Sequence, residues 1–237
     1  MNRILYRPEE PVEGLLTLRD ARADHIRRVL RAKVGDTLRL GRLNGPLATG
    51  VIETLAPQSV ILRLTEAETP QRPRTDLLLA LPRPKVLRRL LPQIAALGVG
   101  RIFLTNAARV ERPYFDTHVL DPEPLENALM EGLTQAGDTL LPQVRVIRRL
   151  KIFLEDELNQ ATDATRRLVL HPGRGTPLRR LPVIPGRTLL AIGPEGGWIP
   201  HELDRFEALN FQPVTLGSRI LRSDTATLAA LGMTSTD

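Results

Sequence analysis

Three short segments carry the side chains and backbone best suited to holding a ligand. They are His171-Pro172-Gly173, Gly193-Pro194-Glu195-Gly196-Gly197, and Gly217-Ser218-Arg219-Ile220-Leu221-Arg222-Ser223-Asp224-Thr225. Glycine lets a backbone approach a ligand closely, and a proline stiffens the turn that presents its amides. Taken alone, Gly193-Pro194-Glu195-Gly196-Gly197 reads more simply as a tight turn before a helix. It is not a dinucleotide fingerprint, and the chain contains neither a phosphate-loop motif nor a Gly-x-Ser-x-Gly nucleophile elbow. The four histidines, His25, His118, His171 and His201, show no metal-ligand spacing, and there is no cysteine. No metal site is therefore expected, and disulfides, iron–sulfur clusters and cysteine nucleophiles are excluded. His171 stands apart from the other three because it follows an apolar, strand-like run.

Positive charge is concentrated in two places. Arg27, Arg28, Arg31 and Lys33 follow one another closely in the first part of the chain, and Arg83, Lys85, Arg88 and Arg89 do so further on. Either group reads as a phosphate-binding patch or as a solvated amphipathic face. Lys and Arg number 33 against 27 Asp and Glu, a net charge of +6 that suits a phosphate-rich partner. Aromatic residues make up only 3%, so a surface that stacks several bases on rings is not expected, and RNA contact would be mainly electrostatic.

The elements that must position these residues fall into two patterns. Up to about residue 69 the chain reads as short strands at 3–6, 15–18, 37–40, 51–55 and 60–64, with one helix in which Asp24 is the expected cap and Ile26, Val29 and Leu30 share the inner side. A polar stretch at 68–75 with Pro70 and Pro73 marks a boundary, giving domains at 1–70 and 71–237. Beyond it, strands and helices alternate. Strands are expected at 77–81, 101–105, 144–147, 168–170, 188–192 and 213–216, and helices at 84–98, 123–135, 151–160, 200–209 and from Asp224. Pro92 predicts a kink or break in the first of these helices, and Gly98 its end. The alternation is that of an α/β sheet covered on both faces, in which ligands collect beyond the carboxyl ends of the strands. All three candidate loops lie at such ends.

At 42% hydrophobic and 25% charged the composition is that of a globular chain, and no apolar run approaches the roughly 20 residues a bilayer needs. The start, Met1-Asn2-Arg3-Ile4-Leu5-Tyr6-Arg7-Pro8, lacks a continuous apolar segment, so no secretory signal and a cytoplasmic location are expected.

Ile192-Gly193-Pro194-Glu195-Gly196-Gly197, followed by Leu216-Gly217-Ser218-Arg219-Ile220-Leu221-Arg222-Ser223-Asp224-Thr225-Ala226, closely resembles the paired C-terminal motifs of the bacterial 16S rRNA uridine N3-methyltransferase family, within the SPOUT class. His25-Ile26-Arg27-Arg28-Val29-Leu30-Arg31 and Val34-Gly35-Asp36 resemble that family's small PUA-like barrel. Three features depart from its pattern: Pro92-Gln93-Ile94-Ala95-Ala96 replaces a Gln-Lys-x-x-Glu segment, Asp224 stands where Glu is usual, and the final helix is expected to be short.

The resemblance implies an α/β SPOUT domain with a trefoil knot after a PUA-like β-barrel, a homodimer, and S-adenosylmethionine as cofactor. Leu170, His171, Gly193, Pro194, Glu195, Gly196, Gly197, Leu216, Gly217, Ile220, Leu221 and Thr225 would hold the cofactor, and Arg3, Arg27, Arg28, Arg31 and Lys33 would meet 16S rRNA or the small ribosomal subunit. Arg222 would stabilise charge on the uracil or pair with an acidic neighbour; Asp224 would accept a proton or cap the last helix. The alternative function is a non-catalytic rRNA-binding assembly factor on the same scaffold.

Overall fold

The computed structural model describes residues 3 to 234 and divides into two compact units, Met1–Gln71 with Met130–Leu141, and Arg72–Leu129 with Pro142–Asp237. In the first unit, β1 (Ile4–Tyr6), β2 (Pro11–Val12), β3 (Leu15–Leu18), β4 (Thr37–Arg42), β5 (Leu47–Ala56) and β6 (Ser59–Glu66) form one mixed sheet in the order β1-β4-β5-β6-β3-β2. Only β1 and β4 pair in parallel. The two-residue β2 is too short to show any alternation in sequence. Alternate side chains of the longer strands close a core that includes Leu16, Leu18, Leu40, Ile52 and Leu62. Residues 130–141, which the sequence pattern assigns to the second domain, cluster instead with this unit, where Leu133 packs with Leu5 and Leu43.

The helix of the first unit differs from expectation in two ways. Its cap is Asp20, whose side chain accepts from the Arg22 N–H at 2.9 Å, and not Asp24. After α1 (Ala21–Asp24) the chain widens into a π turn at His25–Val29, with Leu30 N donating to His25 O at 3.0 Å. The wider turn breaks the 3.6-residue spacing, so Ile26 is buried while Val29 is 67% exposed and Leu30 joins it at the surface.

The second unit contains β7 (Thr75–Ala80), α2 (Pro84–Ala96), β8 (Arg101–Thr105), the start of α3 (Pro122–Ala136), β9 (Gln143–Ile147), α4 (Leu150–Ile152), α5 (Leu158–Ala161), β10 (Arg166–Leu170), β11 (Thr176–Pro177), β12 (Thr188–Ile192), α6 (Pro200–Ala208), β13 (Gln212–Thr215) and α7 (Ser223–Thr234). The expected α/β alternation is present. A π turn at Phe153–Glu157 joins α4 to α5, and β11 is a further two-residue strand. The sheet runs β11-β13-β10-β12-β7-β8-β9, every pairing parallel. β7 is buried at all six positions, as a strand covered on both faces must be. α2 runs on through Pro92, whose missing N–H would have met the carbonyl of the exposed Arg88, where water can replace it; Gly98 (φ +74°) follows the helix end as expected.

At the amino ends of the strands, Asp76 is fully buried. Its carboxylate accepts from Thr162 Oγ1 at 2.9 Å, Arg187 Nη1 at 2.8 Å and Arg101 Nη1 at 3.2 Å, tying together the starts of β7, β8 and β12. Gly100 makes room for this cluster, because a Cβ there would lie 2.8 Å from Arg187 Nη1 and 2.6 Å from Pro73 O. Burial raises the Asp76 pKa above its ordinary value, against the lowering influence of Thr162, Arg187 and Arg101. Asp76→Ala should cost roughly 3 kcal/mol, since it removes the buried carboxylate and leaves Arg101 and Arg187 only the exposed Asp163 to share. Urea unfolding measures this. Because the folded pKa is the higher one, the Asp76 contribution to stability falls as pH rises from the ordinary carboxylate value to the raised one, a slope that Asp76→Asn should remove.

Candidate active site

Strand register brings the three loops together. Leu170 pairs with Ile192 on one side and with Val214 on the other, so β10, β12 and β13 end side by side, and His171 N continues the ladder to Val214 O at 2.9 Å. On the far side of β12, Ile192 pairs with Leu79 and Leu79 with Leu104, which sends the chain after β8 to the same edge.

A cavity of about 370 Å³ opens at this edge, within the range of roughly 300–1,000 Å³ usual for small-molecule sites. Of the residues expected to hold a cofactor, Leu170, His171, Gly193, Pro194, Glu195, Gly196, Gly197, Leu216, Gly217, Ile220 and Leu221 line it; Thr225 does not. Arg222 and Asp224 are also absent from the lining, although Leu221 and Ser223 on either side of Arg222 belong to it. Arg222 is exposed. Asp224 Oδ1 accepts from Thr225 N at 2.8 Å and Oδ2 lies 4.0 Å from Arg89 Nη2, contacts that belong to the start of α7.

The wall is shaped by backbone. Gly197 N closes a turn on Pro194 O at 2.8 Å, and Gly197 (φ +72°) and Gly217 (φ +126°) both adopt conformations that other residues resist, with open space where a Cβ would project. His171 Nδ1 is engaged with Pro172 O at 2.8 Å. Trp198 is 3% exposed and lines the cavity, and its ring stacks edge-on against Phe206, which does the same to Phe211. Its indole N–H has no hydrogen-bond partner among the described residues, so the wall holds a donor still to be satisfied. Apolar walls, exposed loop backbone and one unsatisfied donor fit a ligand with a ring body and polar edges.

Besides Trp198, two residues missed in the sequence complete the site. Arg109, in the loop after β8, lines the cavity and donates from Nη1 to Gly196 O. Its loop is held by the buried Glu202, whose Oε1 accepts from Ala108 N at 2.8 Å while Oε2 accepts from Ile199 N at 2.9 Å. The rule that ligands gather at carboxyl ends points to the Arg109 loop as well, but nothing in its composition marks it.

The cations of the first unit differ in availability. Arg28, Arg31 and Lys33 are exposed. Arg27 donates to Ala56 O and Pro57 O and pairs with Asp24 at 2.6 Å. Arg3, also expected to meet phosphate, donates to Leu40 O at 2.5 Å and Gly137 O at 2.9 Å, so its guanidinium is engaged within the unit. Among the described residues no group of side chains could hold a metal ion, and no helix is long and apolar enough to cross a membrane.

A model of the RNA methyltransferase domain matches residues 68–235. Ribosomal RNA small subunit methyltransferase E of Treponema pallidum is 33% identical over 97% of this chain and 89% of its own length. The chain belongs to this methyltransferase family. A Synechocystis relative of the same name is 29% identical over 97% of the chain and 75% of its own. Among solved structures, a putative methyltransferase from Legionella pneumophila in complex with bound cofactor SAM is 26% identical, with a TM-score of 0.75 covering 98% of this chain and 96% of that one. A probable rRNA-methyltransferase from Porphyromonas gingivalis is 27% identical at the same TM-score, over 97% and 95%. These likenesses run through both units of the methyltransferase chain.

Glu202→Ala should leave the N–H groups of Ala108 and Ile199 unsatisfied and cost roughly 1–3 kcal/mol each where they are buried. Hydrogen exchange at these two amides should quicken together, with Glu202→Gln intermediate because its amide offers a single acceptor oxygen.

Proposed function

We propose that the protein is an S-adenosylmethionine-dependent methyltransferase of ribosomal RNA, acting at N3 of a uridine in the 16S rRNA of the small subunit, in the cytoplasm. The observation that carries this reading is the convergence of three glycine-bearing loops on one cavity in a chain of the RNA methyltransferase family. The uridine N3 specificity is supported by the resemblance of residues 192–197 and 216–226 to the motifs of that group.

S-adenosylmethionine, when bound, supplies a methyl group on a sulfonium. In this reading the backbone of residues 193–197 and 216–217, with Leu170, His171, Ile220 and Leu221, holds it, and Trp198 Nε1 meets one of its acceptors. Aligning two bound reactants supplies much of the rate in such a transfer. Loss of the N3 proton to solvent water as the methyl group arrives places negative charge on the uracil carbonyls, which the exposed guanidinium of Arg222, between the lining residues Leu221 and Ser223, stabilises. Asp224 serves the start of α7 and holds Arg89, a role its contacts favour over proton transfer. Arg28, Arg31 and Lys33 meet RNA phosphates.

We also propose the PUA-like barrel, supported by the single six-stranded sheet of the first unit around its own core. The trefoil knot is supported by the path of the chain after β13, which returns across the sheet so that α7 packs on β12 and α2. A homodimer is supported by the exposed apolar Ile220 and Met233 before and within α7.

Mass spectrometry of rRNA nucleosides from cells with and without the gene tests the function: 3-methyluridine at one 16S position should disappear. Cofactor binding with unchanged nucleosides would favour the non-catalytic assembly factor. Arg222→Ala should lower the single-turnover rate roughly 10²-fold while melting and cofactor affinity stay unchanged. A lowered melting temperature with a normal rate per folded molecule would return Arg222 to a structural role.

A further inference from the structure

Arg109 combines a fixed backbone with an uncommitted charge. Its loop is anchored on both sides: Asn106 N donates to Ile147 O at 3.1 Å, Asn106 Oδ1 accepts from Leu150 N at 2.7 Å, Ala108 N is held by Glu202, and Val110 packs against the core. The side-chain stem lies along Gly196, so closely that a Cβ there would come within 2.8 Å of Arg109 Cδ. The guanidinium then reaches the Gly196 carbonyl, a neutral acceptor, and no carboxylate pairs with it among the described residues. The residue is exposed at the cavity mouth.

A guanidinium carries five N–H donors in a planar fork and a permanent charge. One donor on a carbonyl sets its orientation; the rest are free for an anion arriving from solvent. We propose that Arg109 binds a backbone phosphate of the RNA beside the target nucleotide, seating the base over the cavity, an inference that rests on the function proposed above. Phosphate is favoured over the cofactor carboxylate by place, since Arg109 is exposed beside Gly196 of the Gly193-Pro194-Glu195-Gly196-Gly197 turn, and two parallel N–H bonds match two phosphate oxygens as well as they match a carboxylate. The pinned loop means that little conformational freedom is lost on binding.

The test uses the full-length protein, Arg109→Met, which keeps the stem along Gly196 without the charge, and Arg109→Lys. Affinity for a transcribed 16S rRNA fragment is measured across salt concentrations, alongside S-adenosylmethionine calorimetry and melting. Arg109→Met should reduce the slope of log affinity against log salt by roughly 0.7–0.9, the loss of one phosphate contact, with cofactor affinity and melting unchanged. Arg109→Lys should restore the slope. An unchanged slope with weaker cofactor binding would overturn the inference by placing the guanidinium on the cofactor carboxylate. An unchanged slope with slower single turnover would overturn it in favour of the uracil, and parallel losses of melting and all binding would reduce Arg109 to a brace for Gly196. Wild-type protein that fails to methylate rRNA would sink the proposed function alone, because the slope comparison is read from binding.

Discussion

Everything at the candidate site depends on the parallel register of β10 between β12 and β13. Parallel strands deliver their carboxyl ends to the same edge, and the alignment of Leu170 with both Ile192 and Val214 leaves no stagger between the loops that follow. A slip of one residue in β10 would exchange the faces of Leu168 and Val169, both fully buried and each fitted to its own side of the sheet. The same burial that stabilises the sheet therefore fixes where the glycine turns begin. Continued pairing through β7 and β8 brings the Arg109 loop to that edge without any long connection.

The two ends of this sheet are built differently. At the amino ends a buried carboxylate is shared by two arginines and a threonine, and Gly100 allows them to approach. At the carboxyl ends hydrogen bonds run largely through backbone, with Glu202 as the buried exception. Each end keeps one buried N–H without a hydrogen-bond partner, Arg187 Nε at the first and the Trp198 indole at the second, but only the second opens on a cavity, where Arg109 and Arg219 have no carboxylate partner among the described residues. Stability and binding thus draw on opposite edges of one sheet.

Much of this plan was legible in the chain. Unbroken apolar runs such as Leu77 to Leu81 can only be strands covered on both faces, and the turns after them inherit a common edge. Eleven of the twelve residues named for the cofactor line the cavity because each lies at or just beyond a strand end or within the paired motif, while Thr225 is already on the helix that follows. Less legible were features that depend on hydrogen-bond length or long-range closure. A π turn has no compositional mark, so Val29 and Leu30 look inward by helical spacing and are exposed in fact. Residues 130–141 follow the α/β pattern locally yet cluster with the first unit, because Leu133 packs with Leu5 and Leu43, about ninety or more positions away.

Charge was the least readable property, and exposure is what separates its uses. Arg27 and Arg28 are neighbours in sequence, yet one is engaged with two carbonyls and Asp24 while the other faces solvent. Arg3 lies in the same basic unit but closes three carbonyls, and burial lowers its pKa together with Arg39, against Asp138. A count of cations therefore overstates the charge available to RNA. Exposed cations with no carboxylate partner among the described residues include Arg28, Arg31 and Lys33 on the first unit, Lys85 and Arg88 on α2, and Arg109 and Arg219 lining the cavity of the second. On the proposed function, the cations of the first unit contribute affinity for a polyanion, and those lining the cavity of the second contribute position.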